Sequence, residues 1–318
     1  MGSARDWFAG IGRALGLTPG PAGDGDGTRG NGQRPGRLWL TVAALLAVIV
    51  GVGVVALVVG IGRSSGQDAG QQAGAGQQGA AGQPAVPPVR VSAAELAKLP
   101  RATTFTSIAA APLDQDPFAL TGGMVVHPLA AQVLYAGPGK QPIAVLPATE
   151  LGGPTWVPVV QASPEWNRVL LPSRTNHGTG WIFTGDSAGS RLEVRSSAYL
   201  IRIQTGARKL SVDDGGKSLG TWTVAVGASG TPTPTGRTFL LALLAPPNPT
   251  YSPLILPLGF HSNVFSTFGG GPGTVGLHGW PDSSVFGQAI SNGCVRVPAE
   301  ALRVLSGIPL GSLVLITQ

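Results

Sequence analysis

The sequence predicts a mainly β protein suspended from one membrane-spanning helix. Three observations carry that expectation. An uncharged apolar run extends from Leu38 to Gly62. Beyond it, strand-sized apolar runs are cut apart by glycine and proline, of which the chain holds 49 and 28, a spacing that suits strands better than helices. Only two later stretches, around Glu95 and after Pro298, carry helix-start signals.

The run from Leu38 to Gly62, bracketed by Arg37 and Arg63, makes about 37 Å of helix at 1.5 Å per residue, against the ~30 Å of a hydrocarbon core. It is too long for the apolar region of a cleaved signal peptide. Arg5, Arg13, Arg29, Arg34 and Arg37 precede it against Asp6, Asp24 and Asp26, whereas only Arg63 and Asp68 lie just beyond. The positive-inside rule therefore places the tail, residues 1–37, in the cytoplasm and everything after the helix outside, as a single-pass cell membrane protein. Residues 63–89 are almost wholly Gly, Gln, Ala, Ser and Pro, a composition that cannot bury enough apolar surface to fold and reads as a flexible tether.

Residues 90–121 carry no readable function. Within them Ser92 is placed to cap a short helix, with Glu95 at its third position and Pro100 closing it. From 122 to 190 the runs Met124-Val125-Val126, Gln132-Val133-Leu134-Tyr135, Ile143-Ala144-Val145-Leu146, Trp156 to Val160, Trp166 to Leu171 and Gly180-Trp181-Ile182 predict a small β-barrel or sandwich. Their pattern resembles a bacterial SH3-like domain, either a wall-binding module or a packing spacer, with His177 as a solvated turn residue. From 191 onward strands return, with a hairpin at Asp213-Asp214-Gly215-Gly216, a rigid turn at Thr231 to Gly236, a helix opening at Pro298 and ending before Gly307, and a last strand at Leu313 to Ile316.

Charge and cysteine usage narrow the chemistry. The net charge of +6 is spread out, and no basic cluster suggests nucleic acid. The single cysteine excludes an internal disulfide, so an exported thiol is better explained by reactivity than by architecture. Cys294 sits in Ser291-Asn292-Gly293-Cys294-Val295-Arg296, downstream of Gly276-Leu277-His278-Gly279-Trp280. A lone cysteine is commonly a small core residue. A thiol with an imidazole to take its proton and amides to meet the resulting oxyanion is instead a nucleophile.

These two segments, with Val224 to Gly227, Thr233-Pro234-Thr235-Gly236 and the terminal strand, resemble the L,D-transpeptidase catalytic domain of the YkuD family across residues 191–318. The resemblance implies a β-rich catalytic domain in which Cys294 is the acyl-accepting nucleophile, His278 the base and the Gly279 carbonyl its orienter, with the Gly293 and Cys294 amides forming the oxyanion hole. It implies substrate contacts from Ser291, Asn292, Trp280 and Arg296, the last pairing with a carboxylate or bracing the loop. Two departures stand out: Asn292 replaces the family's second histidine, and the loop from His278 to Ser291 is shorter than usual. His261, in Gly259-Phe260-His261-Ser262, is a rival base, a substrate contact or a structural group. The implied reaction is attack on peptidoglycan stem peptides, loss of the terminal D-alanine and transfer to a diamino-acid amine as a 3→3 cross-link, with carbapenem β-lactams as covalent inhibitors. Imidazole and amide dipoles suffice for it without metal or organic cofactor. An L,D-carboxypeptidase that resolves the same thioester with water, or an inactive tethered wall-binding protein, are the alternatives.

Overall fold

The computed structural model describes residues 86–185, 191–268 and 271–318. The predicted tail (1–37), membrane helix (38–62) and nearly all of the tether (63–89) lie outside the described residues. Among the described residues no helix is long and apolar enough to cross a membrane.

The fold is mainly β, as expected. The N-terminal half begins with α1 (Ala93–Leu96), where the Ser92 and Glu95 side chains cap each other's backbone amides reciprocally. Nine strands follow: β1 (Met124–Pro128), β2 (Gln132–Tyr135), β3 (Pro142–Leu146), β4 (Thr149–Glu150), β5 (Gly153–Pro154), β6 (Val157–Ser163), β7 (Trp166–Leu170), β8 (Thr179–Phe183) and β9 (Leu192–Ser196). All but the small β4–β5 pair join one seven-stranded sheet in the order β3-β2-β8-β7-β6-β1-β9. Leu192 to Ser196 thus pair with β1 in the N-terminal sheet, which moves the boundary expected at 191 to the turn after Ser196.

The C-terminal half contains β10 (Tyr199–Gln204), β11 (Lys209–Asp214), β12 (Lys217–Thr223), β13 (Val226–Gly227), β14 (Gly236–Phe239), β15 (Ile255–His261), β16 (Thr274–His278), β17 (Ala289–Ser291), β18 (Val295–Arg296), α2 (Ala299–Leu305) and β19 (Leu313–Thr317). A five-stranded sheet runs β12-β11-β10-β19-β14, with β19 parallel to β10 and antiparallel to β14. A three-stranded sheet, β15-β16-β18, carries the site. Alternation explains the first sheet, because Ile201, Ile203, Leu210 and Val212 point inward with polar residues between them. β15 and β16 are buried at every position, as befits strands covered on both faces. One core is built from these strands with Val295, Val297, Leu302, Leu305, Val314 and Ile316.

The second core crosses the expected domain boundary. Phe239 and Leu241 of the C-terminal half pack with Ala102, Ile108, Val126, Leu134, Val169 and Ile182 of the N-terminal half. Segment 90–121, unreadable in sequence, is the strap between them: Asp114 and Arg237, 7% and 4% exposed, form a two-point ion pair at 2.6 and 2.7 Å. Arg174 donates to the carbonyls of Ser262, Phe265 and Pro272 at 3.0, 3.0 and 2.9 Å. His177 is not a solvated turn residue; its ring stands edge-on to Phe260, centroids 4.9 Å apart. The C-terminal half closes one core of its own, and the second core is shared between the halves.

Candidate active site

Strand register creates the site. β16 and β18 run parallel with Leu277 opposite Val295 and His278 opposite Arg296, so Cys294, one residue earlier, is aligned with Gly276. Side chains alternate along strands, so Cys294, His278 and Arg296 share one face while Leu277 and Val295 enter the core on the other. At 276 a Cβ would stand 3.2 Å from Leu256 O, which suits glycine in this closely packed strand.

His278 is 3% exposed, and its Nδ1 lies 2.8 Å from its neighbour's carbonyl, Gly279 O. That contact puts the proton on Nδ1 and leaves Nε2 as the acceptor. Tyr251 stands edge-on to the His278 ring with centroids 5.0 Å apart, and Trp280 lies 6.1 Å away. The Arg296 guanidinium is stacked 3.6 Å over the Trp280 ring, with Nε buried and unpartnered. Burial pushes the His278 imidazole down to about 4, against the Gly279 contact and with help from the Arg296 charge. Burial also pushes the Cys294 thiol up, opposed by the Gly276 amide and Arg296. Both shifts favour a neutral thiol and a neutral imidazole at rest.

The loop that carries Cys294 is held from behind. The Ser291 hydroxyl donates to the Cys294 carbonyl and accepts the Gly293 N–H at 3.1 Å. Thr233 Oγ1 accepts the Gly227 N–H at 2.9 Å and donates to Gly293 O at 2.9 Å, while Thr231 Oγ1 donates to Ser291 O at 2.9 Å. Gly293 has φ +118, where nearby atoms leave ordinary space, so its requirement for glycine is conformational. On the far side of Gly279 and Trp280 a groove of about 570 Å³ is lined by Tyr251, Leu254, Phe286, Pro298 and Arg303 among others.

Residues 198–316 match the YkuD family, the L,D-transpeptidase catalytic domain. No curated protein matches the chain in sequence. Among solved structures, L,D-transpeptidase 3 from Mycobacterium tuberculosis in complex with a faropenem-derived adduct is 14% identical over 46% of this chain and 75% of its own, with a TM-score of 0.32. An L,D-transpeptidase from Mycobacterium smegmatis is 15% identical over 51% of this chain and 99% of its own, TM-score 0.32. A Bdellovibrio bacteriovorus protein is 29% identical over 38% and 48%, TM-score 0.30.

Within the YkuD region the structure brings together Cys294, His278, Gly279, Trp280 and Arg296, and it redistributes the other predicted site residues. The Gly293 amide, expected to meet an oxyanion, donates to Ser291 Oγ at 3.1 Å. Ser291 is 2% exposed and staples the loop, with no surface for substrate. Asn292 is half-exposed at the loop tip. His261 is neither base nor substrate contact: it sits opposite Thr274, at the other end of the hairpin from His278, fully buried, with Nε2 3.0 Å from Thr104 Oγ1 and 2.8 Å from Thr104 O. Sequence reading missed Tyr251, Ser252 and the role of Thr233. Only Thr233 left a signal, since it lies in a Thr-Pro turn already noted for its rigidity.

Proposed function

We propose that this protein is a cysteine-dependent L,D-transpeptidase of the cell wall. The observation that carries the reading is the pairing of β16 with β18, which sets an Nδ1-anchored, neutral His278 on the same face as Cys294 inside the region matched to the YkuD family. The Cys294 thiol attacks the carbonyl of the third stem residue, a diamino acid, as its proton passes to His278 Nε2. The Cys294 amide meets the oxyanion, and the terminal D-alanine leaves with the proton from His278. The side-chain amine of a second stem then attacks the thioester, gives its proton to His278 and restores the thiol, leaving a 3→3 cross-link. The buried, unpaired Arg296 beside Trp280 supplies a positive charge for a stem carboxylate, and Trp280, Tyr251 and the groove behind them suit a peptide chain. Asn292 lies at the rim, where it can donate to the same peptide. The enzyme works outside the membrane, anchored through residues 38–62, on a wall that this topology places in reach of the tether.

Relatives bound to a faropenem-derived adduct and to imipenem motivate the inhibitor assay. The wild-type protein gains the mass of a carbapenem, releases D-alanine from disaccharide-tetrapeptide and yields a cross-linked dimer by mass spectrometry. The Cys294→Ala protein does none of these. A dimer formed by the alanine variant overturns the assignment, and release of D-alanine without any dimer assigns hydrolysis.

A further inference from the structure

Ser252 lies in no motif that the sequence offers. It is 3% exposed, in the segment that leads into β15. Its Oγ accepts the Gly279 N–H at 2.7 Å, and its hydroxyl donates to Leu254 O at 2.5 Å. Gly279 in turn accepts from His278 Nδ1. The fit around Gly279 is close: a Cβ there would stand 3.1 Å from Ser252 Oγ and 3.5 Å from Leu302 Cδ2. A glycine with no side chain to lock it has its orientation fixed by its hydrogen bonds. The neighbouring residue, Tyr251, covers the His278 ring. One hydroxyl therefore anchors both the acceptor of the histidine's proton and the aromatic wall beside the ring.

We propose that Ser252 is a positioning residue that selects the histidine tautomer, holding the Gly279 backbone so that its carbonyl keeps the proton on His278 Nδ1 and Nε2 stays bare for the thiol proton. The inference rests on His278 being the base. Without the Ser252 hydroxyl, the Gly279 amide and the Leu254 carbonyl lose a buried partner. The Gly279 carbonyl then drifts from Nδ1, and the proton redistributes between the two ring nitrogens. A ring protonated on Nε2 has no lone pair to offer Cys294.

The test uses the full chain, selectively ¹⁵N-labelled at its four histidines. Ring nitrogen shifts report the tautomer, and iodoacetamide alkylation of Cys294 from pH 5 to 10 reports base assistance without any wall substrate. In the wild type His278 carries its proton on Nδ1. In Ser252→Ala the ring becomes a mixture, and alkylation at neutral pH slows about tenfold, the scale of one hydrogen bond. Ser252→Thr, which keeps the hydroxyl, restores both. A Ser252→Ala protein with lowered thermal stability but an unchanged tautomer and pH profile overturns the proposal. So does a wild-type ring protonated on Nε2, which needs no variant to fold. If His278→Ala also leaves the alkylation profile unchanged, the assignment of His278 falls instead.

Discussion

The hairpin of β15 and β16 has a histidine at each end, and the two ends have become different things. His278 and His261 are both buried, and burial pushes both down to about 4. Depth and titration therefore do not distinguish them; their partners do. His278 spends Nδ1 on the carbonyl next to it and keeps Nε2 toward the thiol face. His261 spends Nε2 on Thr104 of the N-terminal strap, while Asn176 grips its backbone through the His261 N–H and carbonyl, each at 2.8 Å. Each ring keeps one nitrogen without a partner, but His261 Nδ1 is sealed in the interior and its Nε2 joins two halves of the chain, whereas His278 lies on the face that carries Cys294. A buried, strongly shifted histidine is thus a weak mark of catalysis unless its free nitrogen faces a reactive group.

Exchanging the two histidines for alanine tests the contrast most strongly. His278→Ala is expected to slow acylation by about 10²- to 10⁴-fold, the usual worth of a positioned base, and to move its pH dependence up toward the free thiol near ~8.5. His261→Ala should keep the acylation rate within about threefold while lowering stability by about 2–3 kcal/mol, through the cavity and the unpaired Thr104. Stopped-flow carbapenem acylation and chemical denaturation read the two quantities separately. The reverse ranking would move the base to His261.

The joining role can be sharpened at Asn176. Replacing it with alanine removes both grips on the His261 backbone and should cost about 1–3 kcal/mol, with little change in the His278 ring shifts. A large shift at His278 would show that the two ends communicate along the hairpin.

The smallest effect concerns pH. Glu150 packs near the same strap, accepting the Thr104 N–H, and burial pushes it up to about 8. A carboxyl raised above its unfolded value of about 4.5 contributes stability that is whole below that pH and is lost as pH rises through about 8. The two histidines act oppositely, contributing stability above about 6.5 that is lost as pH falls toward 4. Denaturation midpoints should therefore peak near ~6.5. Glu150→Gln should flatten the alkaline side and steepen the rise between about 4.5 and 6.5. An unchanged alkaline side would mean Glu150 is ionised in the folded protein.

How much of this was legible in the sequence follows from locality. The α1 capping box, the turn at Gly215-Gly216, the helix after Pro298 and the pairing of His278 with Cys294 are written in neighbouring residues or a family pattern. Arg237 was invisible because its partner, Asp114, lies in a segment without periodicity. Ser252 and Tyr251 escaped because their contacts with Gly279 and His278 depend on how a loop returns to a strand. The bond from the Gly293 amide to Ser291 was hidden for a related reason: the motif shows that a glycine is there, not where its amide points. The packing of Phe239 and Leu241 against the N-terminal half was not legible, because these are two hydrophobic residues that any core would have accepted.

The position of β19 makes one short strand a keystone of the region. Its five residues, Leu313–Thr317, lie between β10 and β14, and Val314 and Ile316 belong to the same core as Leu277 and Val295. Without β19, β10 would be unpaired on that side. Loss of that one strand would therefore open the core behind Leu277 and Val295, the backing of the strand pair that carries His278 and Arg296, so local fraying far from the thiol reaches the site through its floor.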